Sequence, residues 1–183
     1  MKCTQVLMDE HEGIKLMLRI MEAVARRVVR AKRVPQADLD GIAEFLAVFV
    51  DKCHHGKEEE HLFPALERAG IPRERGPIGV MLAEHDQGRQ IAAQLARALK
   101  TCSAQNDARE KLSKSAGEYS ALLTNHIEKE NHVLFPMAEG RIGKDEDARL
   151  VAAFEKLERE RIGPGKHEAF HKMLSRLEHA YLS

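Results

Sequence analysis

Apolar residues recur along this chain with the period of a helix. In VLMDEHEGIKLMLRIMEAVARRVVR, Leu7, Ile14, Leu18, Met21 and Ala25 fall at spacings of three, four and seven, with Arg and Lys opposite. Such a stripe predicts an amphipathic helix. It stops before KRVPQAD, where Pro35 breaks the pattern and Asp38 can cap the next helix. That second helix is expected over about 39–69, ended by GIP, and RERGPIG reads as a turn-rich linker. A third helix is predicted over 78–100. The polar, cap-rich TCSAQND then leads into a fourth over 108–138, closed by GRIGKDED. Two shorter helical patterns come next, over 146–160 and 165–182, separated by IGPG. No segment alternates with period two over strand length, so the expected class is all-α.

The second organising fact is repetition. DEHEGIKLMLRIMEAV parallels AEHDQGRQIAAQLARAL around His11 and His85, and HHGKEEEHLFPALE parallels HIEKENHVLFPMAE around His54 and His126. His85 lies 74 residues after His11, and His126 lies 72 after His54. Two helix pairs, each with one His on its first helix and His-x-x-x-Glu on its second, predict a duplicated helical hairpin. Stacked, they make an antiparallel up-down-up-down four-helix bundle. The expected organisation is this bundle over 1–140 and a C-terminal helical extension over 141–183 packing on it.

Composition narrows the partners. At 183 residues the chain is long enough for one domain with a real core. The 29 basic and 29 acidic residues balance, which gives no argument for nucleic acid or an anionic membrane. No apolar run reaches the roughly 18 residues of a membrane span. MKCTQVLMDEHEG turns acidic before an apolar stretch develops, unlike a secretory signal. The scattered Cys3, Cys53 and Cys102 read as reduced thiols, and the expected location is cytoplasmic. Ten histidines beside two Tyr, six Phe and no Trp are the oddity.

On a helix, i and i+4 share a face, so His54 projects with Glu58 and His126 with Glu130. Extrapolated along an α-helix, those faces also carry Ala43, Ala47 and Val50, and Ser115, Tyr119 and Leu122. These neighbours are small or largely apolar, which turns the His–Glu pairs inward. A buried carboxylate costs several kcal/mol unless it is paired or bound to metal, and two facing each other repel. A metal cation removes both problems. Four His and two Glu can hold two metals, each with two imidazole nitrogens and two bridging carboxylate oxygens. Mixed nitrogen and oxygen donors with open positions suit iron or manganese better than closed structural zinc. A lone core His is usually hydrogen-bonded rather than ligating, and a Glu-rich run is usually solvated. Neither reading accounts for matched His and His-x-x-x-Glu patterns in both halves.

Taken together, His11 in DEHEG, HHGKEEEHLFP from His54, His85 in AEHDQGR and HIEKENHVLFP from His126 resemble the hemerythrin-like (HHE cation-binding) family over roughly residues 5–140. The resemblance implies a four-helix bundle around a non-heme di-iron centre. His11, His54, His85 and His126 would be terminal ligands, and Glu58 and Glu130 bridging carboxylates; manganese or zinc are possible substitutes. Oxygen-carrying hemerythrins use a fifth His, from a His-x-x-x-His pair, and an Asp as one carboxylate. Here Met81 and Arg89 stand four before and four after His85, and both carboxylates are Glu. The resulting two-plus-two histidine split leaves both irons open and points away from a simple oxygen carrier. It points toward sensing, scavenging or iron-centre repair with O2, NO or peroxide as ligand, and an unidentified redox or protein partner. The alternatives are a peroxide- or oxygen-consuming oxidoreductase and an iron-storage or simple metal-binding bundle.

The remaining candidates are peripheral on this reading. His55, about 100° round the helix from His54, is expected to flank the site or face a neighbouring helix. His61 is expected back on the inward face about 10 Å further along the axis, in a supporting role. His132 reads as surface, Tyr119 as inward packing, and Cys53 as a small packing residue. Each Pro of LFP is expected to kink or end its helix. His167 and His171 have metal-ligand spacing but no third ligand, so surface packing suits them better.

Overall fold

The structure is a computed structural model that describes residues 1–102 and 106–183; the middle of the expected TCSAQND linker lies outside them. Among the described residues six helices follow in order: α1 (Lys2–Val29), α2 (36–68), α3 (Pro77–Thr101), α4 (106–139), α5 (Lys144–Arg161) and α6 (Lys166–Leu182). There is no strand among the described residues, and the protein is all-α. No helix among them is long and apolar enough to cross a membrane.

The ends of the elements reflect local chemistry. Pro77 stands in the first turn of α3, where its missing N–H costs nothing. Gly70 (φ +87°) leaves α2 in the left-handed region that glycine tolerates best. Asp38 departs from expectation. It lies in the first turn of α2 but makes no cap bond. Instead it is buried, accepting a hydrogen bond from Tyr181 Oη (2.5 Å) and pairing with Arg176 (2.7 Å), both on α6.

Neither α2 nor α4 is a uniform α-helix. In α2, Gln36–Glu44 is α, Phe45–His55 is π, Glu58–Leu62 is π, and Phe63–Arg68 is α again. In α4, the π turn Glu130–Leu134 separates Asn106–Lys129 from Phe135–Glu139. Pro64 and Pro136 each stand in the first turn after such a π turn. A proline clashes with the carbonyl four residues back, and a widened turn relieves that clash. The two prolines therefore mark π-to-α junctions, and neither helix ends there. No local sequence feature accounts for the longer π segment.

All five predicted stripe residues of α1 are buried. Of the α-helical face drawn for α2, Val50, His54 and Glu58 are buried and Ala47 is exposed, while Phe45, Leu46, Phe49 and Cys53 are buried beside them. Wider turns with i→i+5 bonding bring these adjacent pairs onto the core side.

Two apolar clusters fill the interior. One includes Ile14, Val50, Ile91 and Leu123, and the other Leu7, Leu62, Met81 and Leu134. Along α1 and α3 the chain passes from the second cluster through a His to the first; along α2 and α4 the order reverses. The histidines and glutamates thus form a polar layer between two apolar ones. The C-terminal helices extend both: Leu150 and Phe154 of α5 join the second, and Phe170, Leu174 and Leu177 of α6 join the first. At Gly41 an added Cβ would meet Met173 Sδ at 2.8 Å, so α6 approaches α2 closely there.

Candidate metal centre

Two groups of side chains that share Glu58 lie in the polar layer, each with one donor atom per residue and all donors of a group within 4.8 Å of one another. The first group is His11, His54, Glu58 and Glu130. The second is His55, Glu58, His85 and His126. The structure therefore brings together all six residues singled out from the sequence, and adds His55.

The two carboxylates tie the groups together. Glu130 lies 3.2 Å from His11 Nε2 and 3.3 Å from His126 Nε2, and Glu58 lies 3.7 Å from His54 Nε2 and 3.5 Å from His85 Nε2. Despite these distances, none of the four carboxylate oxygens has a hydrogen-bond partner among the described residues. Both residues are fully buried.

Each outer ring nitrogen is held. His11 Nδ1 donates to Asn131 Oδ1 (2.8 Å), His54 Nδ1 to Glu10 (2.9 Å), His85 Nδ1 to Glu59 (2.7 Å) and His126 Nδ1 to Glu84 (2.9 Å). An acceptor at Nδ1 fixes that nitrogen as the N–H and leaves the Nε2 lone pair facing inward. Yet the Nε2 atoms of His11 and His54 are 3.1 Å apart, as are those of His85 and His126. Lone pairs converging at that distance, beside two unpartnered carboxylates, call for positive charge between them. A metal cation fits this donor set, and without one protons must serve.

The titration directions say the same. Burial, then the charge of Glu130, pushes Glu58 well above the usual carboxylate range. Burial also works against ionised Glu130, but His126 and His11 outweigh it and hold that carboxyl well below the range. The pair thus shares one negative charge. Burial lowers His54 to about 4 against the pull of Glu10. At the equivalent position, Glu130 and Glu84 overcome burial and raise His126 to about 9.

Of the two places expected for His55, flanking the site or facing a neighbouring helix, the structure shows the second, and it also sets His55 among the donors of the second group. The π segment turns it inward beside His54; it is 2% exposed, and its ring stacks on His85 with centroids 3.8 Å apart. The absence of a His four residues from His85 therefore does not leave the cluster with four histidines, because the next residue on α2 supplies a fifth. His61 is corrected. It turns from the polar layer toward Phe154 of α5, with ring centroids 6.3 Å apart. His132 is 73% exposed, as expected of a surface residue. Tyr119 is buried, while His167 and His171 face each other at 4.7 Å with no third ligand among the described residues. Cys3 and Cys53 are buried free thiols.

Six supporting residues are not apparent from the ligand motifs: Glu10, Lys57, Glu59, Glu84, Lys129 and Asn131. The signal was in the repeat. Glu10 and Glu84 each precede the His of the first helix in their half, and Lys57-Glu58-Glu59 matches Lys129-Glu130-Asn131. Lys57 pairs with Glu10, and Lys129 with Glu84. Burial separates them. Lys57 is 1% exposed because α5 covers it and Glu158 pairs with it at 3.0 Å, whereas Lys129 is 40% exposed. Arg89 bridges Asp51 (2.7 Å) and Glu59 (2.5 Å) beside the second group.

An all-helical protein with buried histidines and carboxylates converging from four helices is of the metal-binding bundle class. The hemerythrin HHE cation binding domain matches residues 4–138, and the chain belongs to that family. An uncharacterized protein of Mycobacterium tuberculosis is 27% identical over 158 residues, 86% of this chain and 61% of the relative. The iron-sulfur cluster repair protein YtfE of Cronobacter sakazakii is 26% identical over 140 residues, 70% of this chain and 63% of the relative. That of Yersinia pseudotuberculosis is 33% identical over 103 residues, 54% of this chain and 47% of the relative. The chain spans less than two thirds of the length of each of these relatives.

Proposed function

We infer that this chain is a non-heme di-iron protein whose centre binds or reacts with dioxygen, nitric oxide or peroxide. One observation carries the reading: Glu58 and Glu130 are buried, without hydrogen-bond partners among the described residues, and each lies between histidines of both groups. His11 and His54 would hold one iron and His85, His126 and His55 the other, with Glu58 and Glu130 available to both. Manganese and zinc suit the same donors.

Iron there supplies redox equivalents and a coordination position for a small oxidant. The protein's part is to fix the ligands. Glu10, Glu59, Glu84 and Asn131 orient the four rings through Nδ1. The flanking apolar clusters exclude water. His55 turns Nδ1 toward Asp51, leaving Nε2 for the metal. Held so, the second group would contribute three histidines and the first two, where the motif alone suggests two and two. The missing fifth His thus no longer argues against reversible dioxygen binding.

The names of the YtfE relatives favour iron-centre repair over sensing or scavenging. The alternating order of polar and apolar layers supports an antiparallel up-down-up-down bundle over 1–140 with 141–183 packed on it. Buried free thiols suit a cytoplasmic setting.

The test is iron content and absorption on protein purified without oxygen, then exposed to air, NO and peroxide in turn. Two irons per chain, with near-ultraviolet bands rising in air and lost in Glu58→Ala, are expected. Less than half an iron per chain, unchanged by reconstitution or by Glu58→Ala, would sink the reading.

A further inference from the structure

The two halves of the bundle differ in what covers them. On the first half, α5 lies across α1 and α2. Its Leu150 and Phe154 share the second apolar cluster with Ala65, and Val6 packs against that cluster. Phe154 also meets the His61 ring, Leu157 lies 3.5 Å from where a Cβ on Gly56 would stand, and Glu158 pairs with Lys57. Leu150, Phe154, Leu157 and Glu158 fall at i, i+4, i+7 and i+8, on one face of a helix.

The repeat gives each covered position a counterpart. Moved by 74 residues, Val6 becomes Val80; moved by 72, Lys57, His61 and Ala65 become Lys129, Val133 and Met137. The counterparts are open. Val80 is 48% exposed, Val133 49% and Met137 36%, three of the four exposed large apolar side chains among the described residues. Next to them Arg75, Pro77, Val80, Ala83 and Glu84 line a shallow depression. His61 and Ala65 of the covered half thus give way to larger apolar residues in the open half, where water alone would favour polar ones. A second observation is independent of apolar area. Lys57 pairs with Glu10 and with Glu158 of α5, whereas Lys129 pairs with Glu84 alone among the described residues.

We propose that the α3–α4 face docks one amphipathic helix of a partner protein as α5 docks on α1 and α2. The partner helix sets apolar side chains at i, i+4 and i+7 over Val80, Val133 and Met137, and a carboxylate at i+8 on Lys129. Lys129 and Arg75 favour an acidic helix there. A second copy of this chain exposes no such stripe elsewhere, since its other exposed large apolar residue, Val29, closes α1. Docking at this face does not depend on which ligand the metal centre takes.

The test titrates the full chain into a fluorescent peptide with the sequence of α5, Lys144–Arg161, held helical by a lactam between Lys156 and Glu160. These two are exposed in the protein and lie one turn apart. The chain's own α5 fills the first groove, so the peptide reports on the open face. Saturable binding with a Kd of about 100 µM or tighter is expected. Glu158→Ala in the peptide should weaken binding about fivefold or more, through the lost bond to Lys129. Val80→Asp with Val133→Asp in the full chain should abolish it; should that variant not fold, Met137→Asp takes its place. Absence of saturable binding, equal affinity of the Glu158→Ala peptide, or full binding by the folded Asp variant would overturn the proposal. Sedimentation velocity of the chain alone tests the other occupant. A monomer is expected, and a dimer split by Val80→Asp with Val133→Asp would make this face a contact between copies and overturn the proposal.

Discussion

His55 of α2 stacks on His85 of α3 with an interplanar angle of 17°, although its neighbour His54 joins the other group of ligands. Consecutive residues on an ordinary α-helix diverge by about 100° and can both be buried where the helix is enclosed, as Ile20 and Met21 of α1 are. His54 and His55 end the π segment Phe45–His55 and reach different groups of donors. One consequence is direct. His55→Ala should weaken the metal position at His85 and His126 and lower iron stoichiometry from two toward one per chain, whereas His61→Ala should leave it unchanged. Iron analysis after dialysis against a mild chelator decides between equal and unequal losses.

The carboxylates behind the rings should matter almost as much as the ligands. Glu10→Ala and Glu84→Ala remove the acceptors that orient His54 and His126. Each should cost about 10–100-fold in metal affinity, measured by chelator competition, with little change in helix content. Equal affinity in variant and parent would show that packing alone orients the rings.

Lys57 and Lys129 occupy the same place in the repeat but differ in burial. Lys57→Ala leaves buried Glu10 without its cation and should destabilise by about 3–5 kcal/mol. Lys129→Ala breaks a partly exposed pair and should cost less, about 1 kcal/mol. Urea unfolding of the two variants side by side tests the difference.

Metal-free protein should be most stable near neutral pH. Burial, opposed by Glu10, depresses His54 from 6.5 to about 4, so its contribution is complete above pH 6.5 and is lost as pH falls toward 4. For Glu10, burial is outweighed by His54 and Lys57, which lower it from 4.5 to about 2; its contribution is complete above pH 4.5 and is lost toward 2. His126 is the opposite case. Burial is overcome by Glu130 and its pKa rises to about 9, so its contribution is complete below pH 6.5 and is lost as pH rises through 9. Each shift corresponds to about 3 kcal/mol, with His54 and Glu10 sharing one interaction. Urea midpoints of chelator-treated protein across this range should trace a dome, and His126→Gln should flatten its alkaline side. A profile level from pH 6.5 to 9 in the parent contradicts the assignment.

Phe154 of α5 is buried in the second apolar cluster, so Phe154→Ala should cost about 3–5 kcal/mol. Unfolding should remain one transition, because α5 and the first four helices share that core. A separate early transition would mean that the C-terminal helices fold apart from the bundle.

Much of this protein was readable from its pattern alone. Heptad-like apolar spacing reports helices through the 3.6-residue period, and the six predicted spans match the six helices closely, because the stripes are long and Pro and Gly punctuate them. Duplication exposed His11, His54, Glu58, His85, His126 and Glu130, and it also held Glu10, Lys57 and their counterparts, whose charges are hard to distinguish from a solvated face without knowing what lies opposite.

Tertiary structure decided the rest. Which side chains face inward on α2 depends on backbone hydrogen-bond register, and over the π segment Phe45–His55 His55 is buried and Ala47 exposed. Burial of Lys57 but not Lys129 depends on α5 folding back over one half of a near-symmetric bundle. Sequence determined which groups were available and at what helical spacing; packing among helices far apart in the chain determined which met, because only there does desolvation separate ionic pairs that look alike in the sequence.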